Sequence, residues 1–131
     1  MAVRHTAGTK GKRPDLVQRA IVPDVLVGAH AAAVGLTFYT GTQFPQRYRN
    51  GLFVALHGSW NRSTTNGAKV AFIPFQNGKP GAVEDFLTGF VVDPAKNSKW
   101  GRPVGVTVTP DGSVLVSDDG GNRIWRIKYK G

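Results

Sequence analysis

The chain has 131 residues and no cysteine, which excludes a disulfide framework and any thiolate metal site. Its hydrophobic share of 40% is that of an ordinary globular domain, and no apolar run is long enough to span a bilayer. Seventeen Lys and Arg against eight Asp and Glu leave a net charge of +9, which favours an anionic partner. Apart from Lys10, Lys12, Arg13 and Arg19 those cations are scattered, and no basic helix, zinc-finger spacing or aromatic RNA-binding signature accompanies them. A nucleic-acid partner is therefore not expected.

Residues 1–20 read as a flexible basic lead-in with at most a helical turn near Asp15–Ala20, and Met1 to Asp15 lacks the apolar stretch of a secretory signal. From Ile21 onward the pattern becomes all-β. Strands are predicted at Gly35–Tyr39, Leu52–Leu56, Lys69–Phe75, Glu84–Phe90, Pro103–Thr109, Ser113–Ser117 and Arg123–Tyr129. Each is short, rich in β-branched or aromatic residues and bounded by Gly, Pro, Asn or Asp. Thr109-Pro-Asp-Gly112 and Asp118-Asp-Gly-Gly-Asn122 read as hairpin turns, because proline presets φ and Gly or Asn accepts the left-handed conformation.

These strands repeat. Gly35-Leu-Thr-Phe-Tyr39 matches Gly105-Val-Thr-Val-Thr109, and Gly51-Leu-Phe-Val-Ala55 matches Gly112-Ser-Val-Leu-Val116. The segment from Asn61-Arg62 through Lys69-Val-Ala-Phe-Ile-Pro-Phe75 matches Asn122-Arg-Ile-Trp-Arg-Ile-Lys-Tyr129. A small β-sandwich uses similar turns, but the repeat favours β-propeller blades: about two four-stranded blades, 21–95 and 96–131, with strand exchange between them allowed. Two blades cannot close a ring. The chain is thus expected either to belong to a longer protein or to assemble from copies, a homotrimer giving six blades with closed rotational symmetry.

Pro23-Asp24, Gly28-Ala-His30, Gly35-Leu-Thr-Phe-Tyr39, Leu52-Phe-Val-Ala-Leu-His-Gly-Ser-Trp-Asn-Arg62, Trp100-Gly-Arg-Pro-Val-Gly105, Val116-Ser-Asp-Asp-Gly-Gly120 and Ile124-Trp-Arg126 follow one another in order. Over roughly residues 21–131 this series resembles the C-terminal part of the pyrroloquinoline-quinone (PQQ)-dependent glucose and sorbosone dehydrogenase family, especially its sorbosone dehydrogenase-like branch. The resemblance implies a six-bladed propeller that holds PQQ and calcium near its axis and oxidises an aldose or related sugar by hydride transfer to the quinone. It also implies export to the periplasm or beyond, although Met1 to Asp15 carries no signal.

On that resemblance Arg102, at the mouth of an inner strand, is a candidate to face the cofactor, since guanidinium groups suit its three carboxylates. The alternative is a solvated loop arginine. His30, five residues before Gly35, is a second candidate, with a structural hydrogen-bonding role as its alternative. His57, Trp60, Asn61 and Arg62 form the richest polar cluster, placed after an apolar strand where functional loops lie. Asn61 and Arg62 are assigned to the cofactor, and His57 and Trp60 to a sugar or other anionic ligand; the alternative is a loop whose tryptophan covers the core. Trp100 either lines the cavity or packs between blades.

No catalytic or metal-binding residue is assigned within this chain. Asp118 to Asn122 is too short for an EF-hand loop, and the family's catalytic histidine is implied to lie in blades outside this sequence. A monomer is accordingly expected to show little or no sugar oxidation. A non-catalytic propeller built from copies, with an electropositive central pocket, is the other functional expectation.

Overall fold

The computed structural model describes residues 13–131, so most of the basic lead-in lies outside the described residues. A five-residue helix, α1 (Pro14–Gln18), begins where Pro14 supplies a ready-made first helical φ, and none of its residues is buried. Eleven strands follow: β1 (Ala33–Phe38), β2 (Leu52–Leu56), β3 (Lys69–Ile73), β4 (Phe75–Gln76), β5 (Lys79–Pro80), β6 (Glu84–Leu87), β7 (Val91–Asp93), β8 (Ser98–Lys99), β9 (Pro103–Val108), β10 (Val114–Asp118) and β11 (Arg123–Ile127). No helix among the described residues is long and apolar enough to cross a membrane.

The strands form two main antiparallel sheets, one of four strands in the order β1-β2-β3-β6 and one of three in the order β9-β10-β11. Two small hairpins, β4-β5 and β7-β8, complete the set, and none of the sheets closes on itself. The expectation of two four-stranded sheets therefore needs correction, since among the described residues no strand adds to the far side of β11. Two predicted strands are also shortened for a local reason. Pro74 has no N–H and divides the run Lys69–Phe75, while Gly89, at φ +99°, lies just past the end of β6.

Register shows how the repeat works. Thr37 stands opposite Phe53, and Thr107 stands opposite Leu115. If Gly35 and Gly105 are equivalent, Phe53 then matches Leu115 and Leu52 matches Val114. The middle-strand alignment drawn from sequence is thus one residue out, because Ser113 adds a residue to the second turn. Ile73 opposite Leu52 and Ile127 opposite Val114 keep the third-strand match, with Lys69 equivalent to Arg123. Both sheets also carry a register shift at the same point, between Ala33 and Gly35 in one and between Val116 and Asp118 in the other.

The sheets stack face to face. Phe53, Ala55, Val70 and Phe72 of the first sheet meet Val106, Val114 and Val116 of the second in one buried cluster, joined by Tyr39 and Phe44. Gly35 lets the two inner strands approach to backbone contact. A Cβ there would collide with the Val104 carbonyl oxygen and stand 3.1 Å from the Gly105 Cα. The opposite face of the first sheet is roofed by Val25 and Val27, which cover Leu52, Val54, Leu56, Ala71 and Ile73. At the far end the fully buried Tyr39 hydroxyl donates to the Gly112 carbonyl at 2.8 Å and accepts from the Phe44 N–H at 2.9 Å. That pair pins the Thr109–Gly112 turn, where Gly112 has φ +81° and donates to the Thr109 carbonyl, to the first sheet.

Candidate functional site

The antiparallel registers gather the candidate residues at one end of the sheets. Ala33, Leu56 and Lys69 are level with one another, as are Pro103, Asp118 and Arg123. The segments just outside those positions, 28–32, 57–68, 100–102 and 119–122, therefore emerge together. Seven candidates, His30, His57, Trp60, Asn61, Arg62, Trp100 and Arg102, lie on them.

His57 sits at the exit of β2 with its backbone fixed on both sides. Its N–H donates to the Ala32 carbonyl at 2.9 Å, and that of Gly58 donates to Ala31 at 2.8 Å. The His57 ring reaches across to the second sheet, where Nε2 lies 2.9 Å from Asp119 Oδ1. Arg102 reaches back in the opposite direction, donating through Nε to the His57 carbonyl at 3.1 Å and through Nη2 to the Gly58 carbonyl at 2.7 Å. These contacts lace the two sheets together at this end. They take two of the five guanidinium donors, and Nη1 has no partner among the described residues.

Beneath Arg102 lies Asp118, only 2% exposed. Its carboxylate accepts from the N–H of Arg102 at 2.6 Å, that of Gly121 at 2.8 Å and Trp125 Nε1 at 3.1 Å. Burial raises the pKa of this carboxyl, but the three donors and the nearby Arg123 charge outweigh it, and the net shift is downward. Asp118 thus holds the turn 119–122 and the entry to β9 in place, as a hairpin rather than a calcium loop. No group of three or more His, Asp or Glu among the described residues is arranged to hold a metal ion.

The loop after β2 is anchored from below. Lys99 Nζ donates to the Ser59 carbonyl at 2.8 Å, Asn97 Nδ2 donates to the Trp60 carbonyl at 2.9 Å, and Ser59 and Asn66 exchange hydrogen bonds. Burial, followed by the Arg102 charge, lowers the Lys99 pKa. On this braced backbone the Trp60 side chain stands 78% exposed. Arg62 donates to the carbonyls of Ala29 and Thr64, at 3.2 and 3.3 Å. Asn61 is exposed and its side chain has no partner among the described residues. His30 is exposed at φ 61°, and Ala32 nearby has φ 54°, so two left-handed non-glycine residues lie beside the site.

Trp100 takes the packing position. Its ring lies 5.0 Å from Phe90 and 5.5 Å from Trp125 on β11, and its Nε1 donates to the Gly89 carbonyl at 2.7 Å. Sequence reasoning missed Asp119, Asp118 and Lys99 as members of this end. The string Asp118-Asp-Gly-Gly reads as a turn, and nothing local indicates that one carboxylate turns inward while the next meets a histidine from the other sheet.

Arg62, Lys99, Arg102 and Arg123 outnumber the two acids here, of which Asp118 is filled by N–H donors and Asp119 faces His57. That donor set fits an anionic, carboxylate-bearing ligand.

Stacked antiparallel sheets with a cationic, loop-built end define an all-β domain. The chain belongs to the TrAA12-like family, whose pattern matches residues 10–130. It is 32% identical over 126 residues to a PQQ-dependent pyranose dehydrogenase of Coprinopsis cinerea, covering 83% of this chain and 16% of that protein. An uncharacterized protein of Borreliella burgdorferi is 43% identical over 104 residues, covering 78% of this chain and 27% of that one. In structure the chain resembles the holo form of the pyranose dehydrogenase PQQ domain of Coprinopsis cinerea, with a TM-score of 0.67 and 29% identity over 86% of this chain and 30% of that one. An AA12-family carbohydrate-active enzyme of Trichoderma reesei is similar at a TM-score of 0.50 and 25% identity, over 56% and 20% of the two chains. The chain therefore spans well under a third of the length of either of these sequence relatives.

Proposed function

We propose that this chain forms two blades and one part of the cofactor rim of a PQQ-dependent sugar dehydrogenase acting on a pyranose or related aldose. The observation that carries the reading is the interlock of His57, Arg102 and Asp119 across two sheets, at an end where cations outnumber acids. Hydride acceptance is the chemistry the quinone supplies when bound. The residues here bind and orient: Arg102 through Nη1, with Arg62, Asn61 and His30, would hold carboxylate and carbonyl oxygens. His57, held by Asp119, and the exposed Trp60 would meet the sugar, His57 at a hydroxyl and Trp60 against the apolar face of the ring. Trp100 supports this rim from behind through Trp125. Calcium is not assigned to any residue of this chain.

Two blades leave a ring open, so the reading includes further blades. Three copies of this chain would supply six sheets, with the rims of all copies turned toward one axis. The catalytic base is supplied by none of the residues above, and turnover by a single chain is not part of the proposal.

Titrating PQQ into the purified chain, with tryptophan fluorescence as the readout, tests the cofactor reading. Saturable binding that weakens with added salt, and that falls about tenfold in Arg62→Ala, supports it. Failure of PQQ to bind to folded protein at millimolar concentration refutes it. Binding with no quinone-dependent dye reduction under any assembly state would favour the non-catalytic, ligand-presenting alternative.

A further inference from the structure

We infer that Asn77-Gly78, in the turn of the β4-β5 hairpin, is a site of spontaneous deamidation, a slow covalent change that marks the age of the chain. The Gly78 nitrogen attacks the side-chain carbonyl carbon of Asn77, the new C–N bond closes a five-membered succinimide, and the amide nitrogen leaves as ammonia. Water then opens the ring at either carbonyl, giving aspartate or isoaspartate. No oxidant or reductant enters, and one neutral carboxamide becomes one carboxylate.

The chain has six asparagines, and three precede glycine, whose bare Cα hinders the attacking nitrogen least: Asn50-Gly51, Asn66-Gly67 and Asn77-Gly78. The structure separates these three. At Asn50 the nucleophile is committed, since the Gly51 N–H donates to the Tyr48 carbonyl at 3.1 Å, and a Cβ on Gly51 would strike the Phe72 ring. At Asn66 the carboxamide is committed. Its Nδ2 donates to the Ala29 carbonyl at 2.7 Å, while its backbone N–H and carbonyl are both bonded to Ser59, at 2.9 and 2.7 Å. Asn97, which precedes Ser98, is likewise held by Thr65, Lys99 and the Trp60 carbonyl. Asn77 has none of these restraints. Both it and Gly78 are exposed, and neither its carboxamide nor the Gly78 N–H has a partner among the described residues. A Cβ on Gly78 would meet nothing within 4 Å.

Ring closure requires the turn to leave its resting conformation, in which Asn77 has φ 51° and Gly78 φ 75°. Little holds it there. The hairpin pairs only Phe75 with Pro80 and Gln76 with Lys79, no third strand joins it, and Pro80 has no N–H to donate. A two-stranded hairpin of this size is marginal by itself, so it opens locally at far less cost than the sheets unfold. Isoaspartate then adds a methylene to the main chain, which a two-residue turn cannot absorb. β3 runs from Lys69, at the candidate site, to Ile73 at the other end of the sheet, and the hairpin follows from there. The modified turn therefore lies away from His57 and Arg102.

Incubating the purified chain for weeks at physiological temperature and mildly alkaline pH, then mapping its tryptic peptides by mass, tests the inference. Trypsin does not cut between Lys79 and Pro80, so Asn77 is the only asparagine of peptide 70–96, while Asn66 falls in 63–69 and Asn50 in 50–62. Peptide 70–96 is expected to gain about 1 Da and to split into two isomers, with the Asn50 and Asn66 peptides changing at least about tenfold more slowly. An isoaspartate-specific methyltransferase supplied with S-adenosylmethionine should label that same peptide, and Asn77→Gln should abolish the label there. A synthetic peptide of residues 74–81 sets the unrestrained rate, and Asn77 in the folded chain is expected within about thirtyfold of it. Slower conversion overturns the inference, as does conversion of Asn50 or Asn66 inside the tenfold margin. Neither PQQ nor the assembly state enters these measurements, so the inference and the proposed function can fail separately.

Discussion

Replacing Asp118 removes a buried carboxylate that three N–H groups converge on, at 2.6, 2.8 and 3.1 Å. A buried donor left without an acceptor costs about 1–3 kcal/mol. Water entering the vacated space beside half-buried Arg102 relieves part of that cost, so Asp118→Ala should destabilise the fold by about 3–5 kcal/mol. Asp118→Asn keeps the oxygen that serves Arg102 and Gly121 but turns an amide toward Trp125 Nε1, and should cost only about 1–2 kcal/mol. Urea unfolding followed by tryptophan fluorescence and far-ultraviolet circular dichroism measures both. At about 2 kcal/mol per molar urea, the alanine variant should lose about 2 M from its midpoint.

The same carboxylate sets a pH dependence. Its folded pKa lies below the ordinary value of 3.8, so it binds fewer protons folded than unfolded when the pH is near that value. Its stabilisation is fully present above about pH 5 and is lost as pH falls through the depressed folded value. The gap between wild type and Asp118→Asn should therefore hold steady near neutrality and narrow in acid. An alanine variant within about 0.5 kcal/mol of wild type at pH 7 would refute the account of this end of the fold.

Gly35→Ala places a methyl group against the Val104 carbonyl and 3.1 Å from the Gly105 Cα, so both must shift backbone. It should lower stability by about 1–3 kcal/mol in chemical denaturation, the range for an overpacked core. Tyr39→Phe strands the Phe44 N–H and the Gly112 carbonyl in a buried corner, and about 1–3 kcal/mol should be lost in the same assay. Arg102→Met keeps the aliphatic stem but frees two carbonyls at a part-exposed site; about 1–2 kcal/mol is expected, with weaker PQQ binding at a concentration where the variant is still folded. Trp60→Ala should leave thermal stability unchanged, because its side chain is largely in solvent, while sugar affinity of the assembled protein falls about fivefold to tenfold.

The seven strands of the two main sheets were visible in the sequence because each carries its own boundaries, whereas the two-to-three-residue strands of the hairpins β4-β5 and β7-β8 are too short to show a pattern. Leu52–Leu56 lies between Gly51 and the His57-Gly58 turn, and its predicted and observed limits coincide. The repeat was visible too, but its middle-strand alignment was displaced by one residue. Alternating apolar residues look much alike after a shift, and only the pairing of Thr107 with Leu115 reveals the added Ser113. Candidate residues collected at one end because a meander returns them there. Their individual contacts were not visible. His57 and Asp119 are 62 positions apart and meet only because Gly35 lets two sheets approach so closely. The inward turn of Asp118 has the same origin, since one of its donors is the backbone of Arg102 at the mouth of the neighbouring strand. Trp100 was ambiguous for a similar reason. Its partners Phe90, in the connection after β6, and Trp125, on β11, are 10 and 25 positions away in sequence, and nothing local shows that the three rings meet.

The unpaired side of β11 has a consequence for aggregation. A bare strand edge recruits whatever extended chain it meets, and natural sheets guard such edges with charge. From Arg123 through Arg126, Lys128 and Lys130 this edge carries a cation at nearly every other position. In the first sheet the corresponding edge is already taken: Lys69, the equivalent of Arg123, forms an ion pair with Asp85 of the adjoining β6, and Glu84 lies beside it. Arg126 is paired with Asp111 at 2.6 Å, so an arriving segment without acids would bring no counter-charge to the remaining three, Arg123, Lys128 and Lys130. The row of lysines and arginines thus guards the open edge against indiscriminate pairing.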